Sequence, residues 1–99
     1  MAAFMNPFVD MVPERKMSNA ELVMALRLNL AAEEEATNTY LAHAQATDHL
    51  LAKKVLVDIA DEERVHAGEF LRLIQILTGD EDKLLAKGKH EVDDLEKNA

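Results

Sequence analysis

A glutamate three residues before a histidine places a carboxylate and an imidazole one turn apart on one side of a helix, where both can reach a single metal ion. Glu63 and His66 stand at that spacing. The spacing alone is a weak signal, since eleven Glu and four His among 99 residues supply about half such a pair by chance. Its weight comes from the apolar company. With Glu63 set at zero and about 100° allowed per residue, Leu56, Ile59, Phe70, Ile74 and Leu77 fall within about 40° of it, and His66 lies at the edge of the stripe. Glu33 is central in the same way, among Leu22, Leu26, Asn29, Thr37 and Tyr40. A carboxylate facing a core without a partner costs several kcal/mol or takes up a proton, so two of them require a metal ion, another cation or hydrogen bonds. Arg27, Lys53, Lys54, Arg64 and Arg72 fall outside the central sectors, which leaves a bound metal ion as the simplest counter-charge.

Two long helices must position these residues. Ser18 followed by Glu21 forms a capping-box pattern, and a helical period then runs from Asn19 to about Ala46. Thr47, Asp48 and His49 interrupt it, with Thr47 or Asp48 able to cap a second helix from Leu50 to Leu77, ended by Thr78 and Gly79. Each helix is about 28 residues, or ~42 Å, and the short connection forces an antiparallel hairpin. Glu33 lies about as far before the turn as Glu63 lies after it, so the hairpin brings them to similar height. Residues 1–17 hold both prolines, Pro7 and Pro13, and read as an extended arm whose apolar side chains need a surface to cover. Residues 18–79 are the hairpin. Residues 80–99 read as a short, weakly held third helix or frayed tail, with Leu84, Leu85, Val92 and Leu95 interrupted by Gly88.

One Glu from one helix and one Glu-x-x-His from the next are half the ligand set of a carboxylate-bridged dinuclear site in a four-helix bundle. A two-fold dimer supplies the other half of both helices and ligands. Oxygen ligands with imidazole suit iron or manganese. The rest of the composition agrees. Only three Gly and two Pro, with 48% hydrophobic residues, point to an all-α chain. The absence of Cys excludes disulfides, iron–sulfur clusters and a thiolate-held iron. A net charge of −8 repels nucleic acid and attracts cations. No apolar run reaches the ~18 residues needed to span a membrane, and the N-terminal stretch lacks the marks of a signal peptide, so the expectation is a soluble, intracellular protein.

The stretches Ala-Glu-Glu-Glu-Ala-Thr-Asn-Thr-Tyr over 32–40 and Asp-Glu-Glu-Arg-Val-His-Ala-Gly-Glu-Phe over 61–70 resemble the encapsulated ferritins, within the ferritin-like and rubrerythrin-like superfamily. The resemblance runs from about Ser18 to Gly79. It implies a two-helix half-ferritin that dimerises into a ferritin-like four-helix bundle around a di-iron ferroxidase centre, one ion per chain, with the dimers set in a ring-shaped homodecamer. It also implies cargo of an encapsulin shell in the cytoplasm, oxidising Fe(II) with O2 so that the shell can store the iron. The family's ligands carry over as Glu33, Glu63 and His66, its nearby tyrosine as Tyr40, and Glu35 is the best remaining member of an accessory uptake site. Thr39 and Ala32 depart from residue types often found there, an aromatic and a glutamate, and the C-terminus shows no obvious shell-targeting peptide.

Glu34, Glu62 and Glu69 read as solvated faces or subunit contacts, and His43, His49 and His90 as surface residues. Two other functions fit the same pattern: a rubrerythrin-like di-iron peroxidase served by an external electron donor, and a non-catalytic dimerisation module whose polar trio specifies register.

Overall fold

The computed structural model describes residues 15–99. The expected arm over 1–17 lies mostly outside the described residues, which begin at Arg15. The fold is all-helical: α1 spans Asn19–Gln45, α2 Leu50–Thr78 and α3 Glu81–Lys97.

α1 starts where its first-turn amides find acceptors. Ser18 Oγ accepts from the Glu21 amide while Glu21 Oε1 accepts from the Ser18 amide, so two donors that the helix leaves over are satisfied reciprocally. Arg15 then clamps the same carboxylate at 2.6 and 2.7 Å. The Arg15 hydrogen bond, more than any other influence, holds the Glu21 carboxyl down at about 2. At the other end the Thr47 hydroxyl accepts the His49 amide, which leaves His49, rather than Thr47 or Asp48, as the cap of α2. Its Nδ1 accepts from the Ala52 amide at 3.1 Å.

α1 and α2 form the antiparallel hairpin, and its core is built largely of small residues. Leu26, Ala44, Ala60, Ala67 and Ile74 are buried. Alanines at a helix contact let the backbones approach closely, which is how two helices enclose any core at all. α2 ends at Gly79, whose φ of +76° is the left-handed conformation that closes a helix and that glycine reaches without a Cβ clash.

α3 is a continuous helix of 17 residues, not a frayed tail, and Gly88 does not break it. A central glycine costs about 1 kcal/mol relative to alanine, too little to interrupt a helix anchored at its start. The anchor is polar. Thr78 Oγ1 accepts the Glu81 amide, and Arg27 of α1 grips the Glu81 carboxylate at 2.7 and 2.9 Å. That grip lowers the Glu81 carboxyl pKa below its usual range.

Candidate metal centre

Glu33 projects from the middle of α1, and Glu63 and His66 from successive turns of α2, as the hairpin register requires. Each offers one ligand atom, and the three atoms lie within 4.8 Å of one another. His66 Nδ1 is 3.7 Å from Glu33 Oε1 and 3.7 Å from Glu63 Oε2. Both separations exceed the ~3.2 Å reach of a hydrogen bond. They match two ligands on one ion, because metal–ligand bonds of about 2.1 Å set neighbouring ligand atoms roughly 3–4 Å apart.

The burial is graded. Glu33 and Glu63 side chains retain 18% and 20% of their exposure, whereas His66 retains 48%. The carboxylates sit between the helices and the imidazole at the open rim. Glu33 Oε2 is fully buried with no hydrogen-bond partner. Elsewhere Arg15 and Arg27 each neutralise a glutamate, but among the described residues no Lys or Arg pairs with Glu33 or Glu63. Two carboxylates and an imidazole, one carboxylate oxygen left unsatisfied, form a donor set that fits a divalent cation of the iron or manganese type.

Tyr40 is half-buried on α1, and no hydrogen bond among the described residues joins it to the trio. Glu35 is half-buried and stands outside the convergent group. Thr37, expected near Glu33, donates its hydroxyl to the Glu33 carbonyl at 2.8 Å and so stays on the backbone rather than entering the site. The sequence reading overlooked a cavity of about 350 Å³ beside the trio, lined by Glu33, His66, Glu69, Phe70 and Leu73. Glu69, expected on a solvated face or a subunit contact, is exposed and forms part of the wall of that space.

A helical hairpin with Glu on one helix and Glu-x-x-His on the next belongs to the class of ferritin-like carboxylate–histidine metal proteins. The rubrerythrin family model matches residues 25–98, and the chain belongs to that family. It is 51% identical over 69 residues to the encapsulin nanocompartment cargo protein EncC of Myxococcus xanthus, covering 70% of this chain and 52% of the relative. It is 34% identical over 82 residues to the ferritin-like-encapsulin shell fusion protein of Pyrococcus furiosus, covering 83% of this chain and 24% of that one. The chain thus spans about half the length of the first of these relatives and a quarter of the second. The crystal structure of the encapsulated ferritin domain from Pyrococcus furiosus superposes with a TM-score of 0.83 at 32% identity, over 95% of each chain.

Proposed function

We propose that this chain is a ferroxidase: Fe(II) binds at Glu33, Glu63 and His66, and O2 takes one electron from each of two ions held between two copies of the chain. The carrying observation is the buried, unpartnered Glu33 Oε2 among ligand atoms within 4.8 Å of one another. Glu63 and His66 would hold one ion, with Glu33 as the further carboxylate ligand that caps or bridges. The cation would supply the positive charge that no Lys or Arg among the described residues brings to Glu33 or Glu63. Bound iron supplies the redox chemistry. The helices keep the ligands fixed, so little ordering is needed when iron arrives. Tyr40, on the same side of α1 as Glu33, is the residue suited to donate a hydrogen bond to a ligand or to quench one-electron oxidants.

The second copy is supported by the open face of α2. Val55, Ile59, Glu62, His66, Glu69, Leu73 and Ile76 recur at alternating intervals of four and three, the seam of helices packed side by side. Val55, Leu73 and Ile76 remain 48%, 47% and 60% exposed on the single chain. An apolar row with a ligand at its middle is what a two-fold partner would cover while completing a dinuclear site. The likeness to an encapsulin cargo protein and to a ferritin-like shell fusion supports a place inside an encapsulin nanocompartment in the cytoplasm. A ring-shaped homodecamer that passes Fe(III) to the shell for storage completes the proposal. No described helix is long and apolar enough to cross a membrane.

The test is an anaerobic Fe(II) titration of metal-stripped protein, with oligomer mass recorded before and after, followed by air and near-ultraviolet absorbance. Saturation near one Fe per chain with rapid oxidation supports the reading. Glu63→Ala protein oxidising Fe(II) at the wild-type rate would end it. Turnover only with hydrogen peroxide would replace it by the peroxidase.

A further inference from the structure

Away from the metal centre, two apolar surfaces of opposite charge stay open. At the hairpin tip Leu50, Leu51, Lys53, Lys54 and Val57 line a space of about 570 Å³, and the three apolar side chains are 81%, 64% and 40% exposed. The first turn of α2 holds no acidic residue, so the two lysines add to the positive end of the helix dipole instead of balancing it. On α3, Val92 and Leu95 are exposed among Glu91, Asp93, Asp94 and Glu96. These four acids crowd the negative end of their helix, where Lys97 is the basic residue of the last turn. Among the described residues no ion pair engages the two lysines or the four acids. Each surface lacks the counter-charge that the other carries. They cannot meet within one chain: at 1.5 Å per residue Leu50 lies about 42 Å from the end of α2 and Leu95 about 21 Å from the start of α3, so even a folded-back α3 would stop about 20 Å short. Nor is α3 folded back, since the chain measures 48 × 46 × 21 Å and two helices side by side are only about 20 Å across.

We propose that the acidic end of α3 seats on the hairpin tip of another copy of this chain, with Val92 and Leu95 against Leu50 and Val57, and Glu91 and Glu96 beside Lys53 and Lys54. Counting about 100° per residue, Leu50, Lys53, Lys54 and Val57 lie roughly 90° or more round α2 from the middle of the seam described above, so the tip stays open when a second copy covers the metal centre. The inference rests on that two-copy unit for the free face, and not on the metal. Tip and α3 stand at opposite ends of one chain, so the contact is head-to-tail and links two-copy units into a larger assembly, closed where the rotation permits. Each contact is small and weak alone, and several around a closed assembly act together.

The chain has no cysteine, so a pair of introduced thiols reports the contact directly. Full-length Leu50→Cys/Leu95→Cys protein is oxidised mildly under native conditions and run on a non-reducing denaturing gel beside each single variant. A disulfide needs Cα atoms within about 7 Å and cannot form inside one chain, so the double variant should give a ladder extending past two chains while the single variants stay unlinked. Lys53→Glu/Lys54→Glu should raise the concentration at which the larger assembly half-dissociates by at least about ten-fold, and Glu91→Lys/Glu96→Lys in the same chain should restore it. No ladder, or an assembly indifferent to the charge reversal, overturns the proposal. Linkage of Leu95→Cys alone overturns it by pairing α3 with α3, and links confined to two chains overturn it by placing the contact inside the two-copy unit. Co(II) uptake by metal-stripped wild type, read by visible absorbance, tests the metal centre separately: one equivalent per chain without a ladder overturns the contact alone, and a ladder without Co(II) uptake overturns the centre alone.

Discussion

Two pairs of glutamates in this molecule show opposite solutions to the same problem. Glu21 and Glu81 lie at helix starts, each held by two short hydrogen bonds from an arginine, Arg15 or Arg27. Glu33 and Glu63 lie part-buried between the helices with no guanidinium, and one of their oxygens is buried with no partner among the described residues. The first pair completes its own charge balance and therefore serves structure: a bidentate arginine leaves a carboxylate little capacity for anything else. The second pair is left electrostatically incomplete, at a cost that makes sense only where something else supplies the positive charge.

The sharpest way to break this contrast is to neutralise each pair. Glu33→Gln removes an uncompensated buried charge, so the metal-free protein should gain stability, by about 1 kcal/mol. The same change should abolish the rise in melting temperature that Fe(II) or Mn(II) produces in wild type, because a ligand stabilises a fold only through its affinity for the folded state. Iron oxidation should fall by at least about 100-fold, the loss that even outer partners of metal ligands can cause. Thermal unfolding with and without metal reads both signs in one experiment. If Glu33→Gln destabilises the metal-free protein, the carboxylate is already satisfied and the contrast fails.

Much of this was legible in the sequence, for reasons that differ by residue. The hairpin follows from apolar periodicity, the Ser18–Glu21 capping pair and Gly79, all of which are local signals. Glu33, Glu63 and His66 stand out because charge on an apolar stripe is an anomaly visible without coordinates. The His49 cap was not visible, because Thr47 and Asp48 are better cap formers and the choice depends on the turn, in which the Thr47 hydroxyl is occupied by the His49 amide. The Arg27–Glu81 clamp joins positions 54 apart in sequence, beyond any periodicity. That clamp is also why α3 is a helix despite an apolar row left largely open, with Leu84, Val92 and Leu95 at 58%, 64% and 71% exposure.

Gly79 gives the next largest effect. An alanine there meets no steric neighbour, so its whole cost comes from holding φ at +76°. Gly79→Ala should lower stability by about 1 kcal/mol, measured by urea unfolding, with metal stoichiometry unchanged. Breaking the clamp should act more narrowly. In Glu81→Gln, amide exchange across Lys83–Glu91 should accelerate several-fold while that of α1 and α2 stays as in wild type, since few contacts other than the clamp hold α3 to the hairpin. Acceleration throughout the hairpin would mean that α3 supports the metal centre as well.

Glu21 sharpens the contrast by pH, with the smallest expected effect. Its folded pKa, held at about 2 by Arg15, lies below the ordinary carboxyl value of 4.5. The folded state therefore binds fewer protons than the unfolded state between those values, and stability falls as pH drops through that window. The contribution is fully present above about 4.5 and gone below about 2. Glu21→Gln should flatten that part of the stability–pH curve and leave the region above pH 5 with the same slope, as read by urea unfolding of metal-free protein.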